Sequence, residues 1–371
     1  MSANRMRPVA ATILALAVAA CGVVGGVKEK PEKCARLRSE RQLRGDHLCE
    51  DVFMCMRPPG GRFNRIGLRR LAFCEGATGP VVLYLPGMHQ NAELPQTDAR
   101  YDIRMHLALA GVRAWGLDYR THAVPADAKP EELSELASWT ADTFASDAEW
   151  AVGFVRTADP GPLYVAGFSY GAGVAYRLAS RRVPMQGLVI LDGTPPGGGY
   201  APEGSGPAID VGSSRLPWPE RERLLSTVLK NPQSASPVPG FATAGAALED
   251  IVYTSSSFGG QGGLSAARDG VTDVVPLARL LASYDRWWPR AALGGGTVSP
   301  RAMPVIAFAS QNMGPEWAQQ VRAGAKAFGG EKAVVRLLPR FGHLDVLVGN
   351  NAARMVFEPA LDFVTSAGGA H

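Results

Sequence analysis

The chain has 371 residues, of which 46% are apolar and 19% charged, and its net charge is +4. This composition excludes a disordered chain and supplies enough apolar residues for a full core. No basic stripe with interleaved aromatic residues is present, so the sequence gives no support for nucleic-acid binding. Residues 1–10 contain two arginines, and residues 11–20 form an apolar run that is too short to span a bilayer. We therefore predict that residues 1–20 are a signal peptide and that the protein is exported.

The residues at the end of this run, Val18-Ala19-Ala20-Cys21, resemble the cleavage box of bacterial lipoproteins. The resemblance implies cleavage before Cys21, lipidation of its thiol and anchoring at a membrane surface of the cell envelope, in the periplasm or at the outer membrane. If the segment is instead an ordinary Ala-x-Ala signal, Cys21 has no such role and the protein is secreted. Residues 22–33 have the composition of a flexible tether.

The other four cysteines all lie near the N-terminus. An even number in an exported chain predicts two disulfides, with three possible connectivities, and the spacings do not indicate a zinc site. We expect residues 21–62 to be a tether followed by a disulfide-stapled N-terminal extension. The disulfide candidates are Cys34, Cys49, Cys55 and Cys74.

From residue 63 onwards, predicted strands alternate with predicted helices. This alternation predicts an α/β fold, a doubly wound and mostly parallel sheet with helices on both faces. The alternation stops between residues 196 and 300, where Gly, Pro and Ser dominate; we predict that this stretch, called the insertion below, is a lid or cap between two core segments, 63–195 and 301–371. The predicted strands are residues 63–74, 81–85, 112–118, 163–168, 187–192, 304–309 and 334–339, and the main predicted helices are 98–110 and 131–157.

One motif joins a predicted strand directly to a predicted helix. Residues 167–171 read Gly-Phe-Ser-Tyr-Gly, in which Ser169 would occupy a sharp turn and Gly167, Gly171 and Gly173 would give room for close backbone contacts. In this context the motif resembles the nucleophile elbow of the α/β-hydrolase family. The resemblance covers roughly residues 65–195 and 300–371.

That resemblance implies a catalytic serine, acid and histidine in this chain order. Ser169 would be the nucleophile, and His343, in a GHLD stretch that looks like the catalytic-histidine region of acid-lipase-like members, would be its base. The oxyanion hole would use the backbone N–H groups of Tyr170 and, in the loop after the strand at 81–85, of Met88.

The acid is where the sequence departs from the family pattern. No Asp follows the strand at 304–309, where the family usually carries it. Asp192, at the end of the preceding strand, is one candidate, although many relatives have a structural Asp-Gly there. Glu316 is the alternative, and the remaining possibilities are that Asn312 orients a weaker histidine or that there is no third member. Asp345 is interpreted as a local structural carboxylate.

These residues predict a serine hydrolase that cleaves carboxylic ester or thioester bonds through an acyl-enzyme, without a metal or organic cofactor. The expected partner is a small-molecule ester substrate, hydrophobic or lipid-like. Two alternatives stay open. One is a peptidase or lactonase on the same scaffold, and the other is a catalytically weak hydrolase-like protein that binds an envelope component.

Overall fold

The computed structural model describes residues 34–43, 47–196, 209–210, 216–254 and 271–366. The strands in these ranges are β1 (Cys34–Leu43), β2 (Leu48–Met56), β3 (Arg65–Phe73), β4 (Val81–Leu85), β5 (Arg113–Asp118), β6 (Leu163–Phe168), β7 (Gly187–Leu191), β8 (Ile209–Asp210), β9 (Trp287–Trp288), β10 (Val305–Ser310) and β11 (Val334–Leu338). Nine of them form one sheet in the order β1-β2-β3-β5-β4-β6-β7-β10-β11, while β8 and β9 form a separate antiparallel pair.

The six strands from β5 to β11 in this order run parallel, and β1, β2 and β3 add an antiparallel edge. Strands β4, β5, β6, β7 and β10 are buried along their whole length. Their runs of Val, Leu, Ile and Ala are what a parallel sheet covered on both faces requires, since neither face can be polar. The predicted mostly parallel α/β sheet is confirmed.

Helices cover both faces of this sheet. Along β4, Val82 and Tyr84 belong to one hydrophobic cluster, whereas Val81 and Leu83 belong to the other, as the two-residue period of a strand requires. The α-helices are α1 (Ile103–Leu109), α2 (Ala141–Ala158), α3 (Tyr170–Ser180), α4 (Trp218–Lys230), α5 (Ala244–Thr254), α6 (Val274–Ala282), α7 (Pro315–Gly329), α8 (Asp345–Val348) and α9 (Glu358–Ser366). Short 3₁₀ segments occur at Ala99–Tyr101, Arg120–Ala123, Pro130–Ser138, Arg290–Leu293 and Gly330–Lys332, and a π-helical turn spans Ala353–Phe357.

The prediction of one continuous helix over residues 131–157 is wrong. The chain forms the 3₁₀ segment Pro130–Ser138 and then restarts as α2. Thr140 caps the new helix, because its side-chain oxygen accepts the N–H of Thr143 while its backbone is extended. The apolar periodicity continues through this break, which is why periodicity alone did not locate it.

Two disulfides staple the N-terminal part, as the cysteine count predicts. They join Cys34 to Cys55 and Cys49 to Cys74. Strand β2 pairs with β3 along its full length, so the disulfide-bonded segment is continuous with the main sheet. The described residues accordingly all fall in one compact unit, Lys33–His371.

The three α-helices that the structure describes in the insertion pack on the core. Leu224 of α4, Leu248 of α5 and Leu277 of α6 belong to the same hydrophobic cluster as Tyr84 and Phe168 of the sheet. In the described part of the chain, none of the helices combines the length and the apolar character needed to cross a membrane.

Candidate active site

The turn after β6 places Ser169 in a strained backbone conformation. Its φ is 52° and its ψ is −117°, values that cost a non-glycine residue about 1–3 kcal/mol. The Ser169 N–H donates to the carbonyl oxygen of Leu191 at 3.1 Å, which ties the turn to the end of β7. Because α3 begins at the next residue, the serine lies at the positive end of that helix.

Two glycines of the motif are required by close backbone contacts. A Cβ on Gly167 would lie 2.4 Å from the carbonyl oxygen of Gly171, and a Cβ on Gly171 would lie 2.0 Å from that of Leu85. Both separations are far inside van der Waals contact, and both partners are backbone atoms that cannot move aside. The elbow therefore accepts only glycine at these two positions.

The third predicted glycine is not required. A Cβ on Gly173 would meet no atom closer than 3.6 Å, so that prediction is wrong. Gly193, which the sequence analysis did not single out, takes this role instead, since its Cβ would lie 2.6 Å from the carbonyl oxygen of Ser169. The elbow is therefore enclosed by the residue after Asp192, just beyond the end of the neighbouring strand β7.

The structure brings His343 and Asp192 together. His343 Nδ1 lies 2.6 Å from Asp192 Oδ2, and Asp192 is fully buried. Because a carboxylate only accepts, the proton of this hydrogen bond belongs to Nδ1, so in the neutral imidazole the lone pair is on Nε2. An imidazole held in this tautomer can take a proton through Nε2.

Asp192 accepts three further hydrogen bonds. Ser310, the last residue of β10, donates its N–H to Oδ1 at 2.7 Å and its hydroxyl to Oδ2 at 2.6 Å. Trp317 Nε1 donates to Oδ1 at 2.9 Å. These donors compensate the burial of the carboxylate and fix its orientation toward His343. Sequence reasoning missed both residues, which lie just before and just after the expected place of the family acid.

The ring of His343 packs beside the elbow. It stacks on Phe168, the residue before Ser169, with ring centroids 4.8 Å apart, and Trp317 contacts it edge-on at 5.8 Å. Among the described residues no hydrogen bond joins the Ser169 hydroxyl to the His343 ring. Such contacts are often long in ligand-free enzymes and shorten when substrate binds.

The other two acid candidates have different surroundings. Glu316 is exposed in the first turn of α7, and Asn312 donates through Nδ2 to the carbonyl oxygen of Arg340 at 2.8 Å. Within the described residues neither side chain bonds to the His343 ring.

The two amides expected to form an oxyanion hole come from neighbouring segments. Tyr170 is the first residue of α3, and Met88 follows the end of β4 by three residues. A Cβ on Gly87 would lie 2.9 Å from the Phe168 ring, which shows how closely the Met88 loop packs on the elbow. In the described part of the chain neither backbone N–H group donates to a backbone or side-chain acceptor. Both are therefore free to donate to a ligand.

Beyond Tyr170 the site is backed by an aromatic cluster. Trp288 of the insertion has its ring centroid 5.0 Å from Tyr170 and 5.1 Å from Phe144. Tyr119 joins the cluster and donates its hydroxyl to the carbonyl oxygen of Pro86 at 3.1 Å. The insertion thus contributes directly to the packing around the predicted oxyanion hole.

Asp345 lies two residues after His343 and is fully buried. It accepts the Gly342 N–H at 2.6 Å and the hydroxyls of Tyr253 and Thr272. Burial raises the pKa of this carboxyl, and the hydrogen bonds counter that effect. The loop that carries His343 is therefore hydrogen-bonded, through Asp345, to two segments of the insertion. The interpretation of Asp345 as a structural carboxylate agrees with these contacts, which the sequence could not identify.

The histidines before Ser169 are engaged elsewhere. His89 is fully buried and donates through Nδ1 to the carbonyl oxygen of Asp285 at 2.9 Å; burial lowers its pKa to about 3, so it is neutral. His122 Nδ1 lies 2.9 Å from the Asp285 carboxylate, and neighbouring carboxylates raise its pKa to about 9 against the opposing effect of burial. Burial also lowers the pKa of His106, whose ring packs on Phe357. Cys21 and His371 lie outside the described residues.

Comparison with known proteins identifies the family. The model of the alpha/beta hydrolase family matches residues 82–352. No curated protein matches the chain significantly. Among solved structures, a candidate lipase from Sulfolobus solfataricus is 26% identical, with 90% of this chain and 99% of that chain covered and a TM-score of 0.75. A soluble variant of monoglyceride lipase from Saccharomyces cerevisiae, in complex with a substrate analogue, is 13% identical, with 83% and 92% covered and a TM-score of 0.50, and it shows the fold alone.

Proposed function

The chain belongs to the alpha/beta hydrolase family, and from this premise we propose that it is a serine hydrolase of carboxylic ester or thioester bonds. One observation carries the proposal. A strained serine at a strand-to-helix turn directly follows Phe168, whose ring stacks on a histidine whose Nδ1 is 2.6 Å from a buried carboxylate. With a hydrogen bond from Ser169 to His343 Nε2 when substrate binds, these three residues would activate the hydroxyl at neutral pH.

In the proposed reaction Ser169 attacks the carbonyl carbon of the ester, and His343 Nε2 removes the serine proton. Asp192 stabilises the imidazolium that forms, because its carboxylate is fixed by donors from Ser310 and Trp317 and does not need to reorient. His343 then protonates the leaving alkoxide or thiolate. Water then attacks the acyl-enzyme while His343 removes its proton. His343 returns this proton to the Ser169 oxygen, and the carboxylic acid product is released.

The backbone N–H groups of Tyr170 and Met88 are proposed to bind the tetrahedral oxyanion. Tyr170 benefits from the N-terminal dipole of α3, and the free Met88 amide lies on the loop packed against Phe168. Removing one donor of an oxyanion hole typically costs 10²–10³-fold in kcat, roughly 3–4 kcal/mol. These two amides therefore account for a large part of the expected rate enhancement.

We propose that the substrate is a hydrophobic or lipid-like ester. The 26% identical structure is a candidate lipase, and apolar side chains of the insertion pack in the clusters that contain Phe168 and Tyr170, the residues on either side of Ser169. The same scaffold could carry a peptidase or a lactonase, and acyl-chain preference has to be measured. We further propose that the mature protein is exported and lipid-anchored through Cys21, or secreted if that cysteine is not modified. Two disulfides are consistent with folding outside a reducing cytosol.

A serine-directed fluorophosphonate probe tests the reaction class. We expect it to label the folded wild-type protein and not Ser169→Ala, and we expect nitrophenyl esters of increasing acyl length to be hydrolysed by the wild type alone. If the folded wild type is not labelled and turns over none of these esters, the enzyme proposal is wrong. The alternative, a hydrolase-like binding protein, would then be favoured.

Two matched substitutions test the acid. Asp192→Asn keeps the size of the side chain but no longer stabilises an imidazolium, and we expect kcat to fall by about 10³–10⁴-fold. Glu316→Gln, at the exposed alternative, should leave kcat within about twofold of the wild type. A large loss in Glu316→Gln together with an active Asp192→Asn would reverse the assignment.

A further inference from the structure

The loop that follows β4, residues 87–91, is held by a short stretch of the insertion, residues 283–285. His89 and Asp285 bond to each other twice. The Asp285 N–H donates to the His89 carbonyl oxygen at 2.7 Å, and His89 Nδ1 donates to the Asp285 carbonyl oxygen at 2.9 Å. This reciprocal pair of hydrogen bonds fixes the loop and the insertion segment to each other at the residue next to Met88.

The following two loop residues add side-chain bonds to the same stretch. Gln90 Nε2 donates to the Tyr284 hydroxyl at 2.8 Å, while Gln90 Oε1 accepts the Gly87 N–H at 3.1 Å. Gln90 therefore links the start of the loop to the insertion through a single amide group.

Asn91 completes the contact. Its Nδ2 donates to the Ser283 carbonyl oxygen at 2.7 Å and to Asp285 Oδ1 at 3.0 Å. The exposed fractions of His89, Gln90 and Asn91 are 0%, 3% and 8%. Three consecutive loop residues thus form hydrogen bonds with three consecutive insertion residues through buried polar groups. Breaking any of these bonds would leave a buried polar group without a partner.

The loop needs such support because its backbone is strained. His89 has a φ of 63°, a conformation that a non-glycine residue keeps only when surrounding contacts enforce it. The direction of the Met88 N–H depends on the peptide plane just before that residue. We propose that residues 283–285 of the insertion are positioning residues for the oxyanion hole, and that they aim the Met88 N–H by holding His89, Gln90 and Asn91. This inference rests on the proposed function.

A purely structural attachment of the insertion predicts something different. In that case any buried amide that bonds the insertion to the core should have the same effect when removed. Gln96 supplies the matched control, because its Nε2 donates to the Pro276 carbonyl oxygen at 2.8 Å and it is 3% exposed. It belongs to the same connection after β4 but lies outside residues 87–91.

The experiment compares Asn91→Ala with Gln96→Ala in the full chain. For each variant, kcat and KM are measured on a nitrophenyl ester, together with the inhibition constant of an alkyl boronic acid. The boronate forms a tetrahedral adduct with the serine and places an oxygen in the oxyanion hole. We expect Asn91→Ala to lower kcat by about tenfold or more with little change in KM, and to weaken the boronate by a similar factor. Gln96→Ala should leave both within about twofold of wild type while its melting temperature falls.

Tyr284→Phe is a milder variant that removes one hydroxyl acceptor, and it is measured as well in case Asn91→Ala does not fold. We expect a loss of about threefold in kcat and in boronate affinity. The inference is overturned if the folded Asn91 and Tyr284 variants match Gln96→Ala in kcat, or if kcat falls while boronate binding does not change. A wild type that neither hydrolyses esters nor reacts with a fluorophosphonate would refute the proposed function instead, so the two failures are distinguishable.

Discussion

The ion pair between His122 and Asp285 makes the stability of the protein depend on pH. His122 Nδ1 lies 2.9 Å from Asp285 and its Nε2 lies 3.7 Å from Glu93. Burial opposes protonation of His122, and so does Arg69 at 3.4 Å from Nε2, but the neighbouring carboxylates, which include Asp118, outweigh them, and the pKa of His122 rises from 6.5 to about 9. The imidazole is therefore charged at neutral pH.

The sign of the effect follows from the raised pKa. A cation that is favoured in the folded state stabilises that state fully below pH 6.5, and the stabilisation is lost as the pH rises through about 9. A difference of this size corresponds to about 3 kcal/mol. Burial raises the pKa of Asp285, which offsets part of what the pair contributes, so this figure is a ceiling.

Chemical denaturation at pH 6.5 and pH 10 measures this free energy. We compare the wild type with His122→Asn, which keeps a hydrogen-bond donor for Asp285 but carries no charge. The difference in unfolding free energy between the two proteins should shrink by about 2–3 kcal/mol between these pH values, since all other titrating groups are shared. A difference that stays constant within about 0.5 kcal/mol would show that His122 is not charged in the folded protein, and would refute the reasoning.

Four further substitutions have outcomes that the geometry determines. Gly171→Ala should lower the unfolding free energy by more than about 3 kcal/mol, because its Cβ would lie 2.0 Å from a backbone oxygen. Gly173→Ala, with 3.6 Å of clearance in the same helix, should be neutral or more stable in the same denaturation assay. Trp317→Phe removes one donor to Asp192 and should lower kcat by about three- to tenfold with an unchanged melting temperature; unchanged kcat would mean that this donor does not tune the acid. Asp345→Asn turns an acceptor of three donors into a group that also donates, and we expect a loss of roughly 1–3 kcal/mol in a melting experiment; unchanged melting would contradict the buried network.

Local apolar runs were enough to predict the centre of the fold. The strands at 81–85, 113–118 and 163–168 are continuous buried segments. A short apolar run bounded by turn residues is typical of a strand buried on both faces. The sharp turn at Ser169 followed from the same logic, since a strand that runs directly into a helix needs glycines where backbones meet.

The sequence did not predict α7, and the reason is its weak hydrophobic signal. Its buried face consists of Val321, Gly324, Ala325 and Phe328, so two of the four positions carry little apolar surface. Trp317 on this helix donates to Asp192. Its neighbour Glu316 was a candidate acid only because of its position in the sequence after the strand at 304–309. Which side chain of a helix turns inward depends on tertiary packing, and no local pattern encodes it.

The contacts of the insertion were also beyond local reasoning. The bonds from residues 283–285 to residues 89–91 span more than 190 positions of sequence. Its Gly, Pro and Ser content indicated an excursion from the core. That composition carries no information about which core loop the excursion would hold.

The position of the proposed acid explains why it and the proposed nucleophile can be fixed together. Ser169 and Asp192 follow neighbouring parallel strands, β6 and β7, and both have positive φ, 52° and 49°. The Ser169 N–H bonds to Leu191, and Gly193 packs on the Ser169 carbonyl, so each turn supports the strain of the other. An acid after β10 would lie one strand further away and share none of these contacts. Ser310, at the end of β10, instead donates to Asp192, so β10 supports the proposed acid that follows β7.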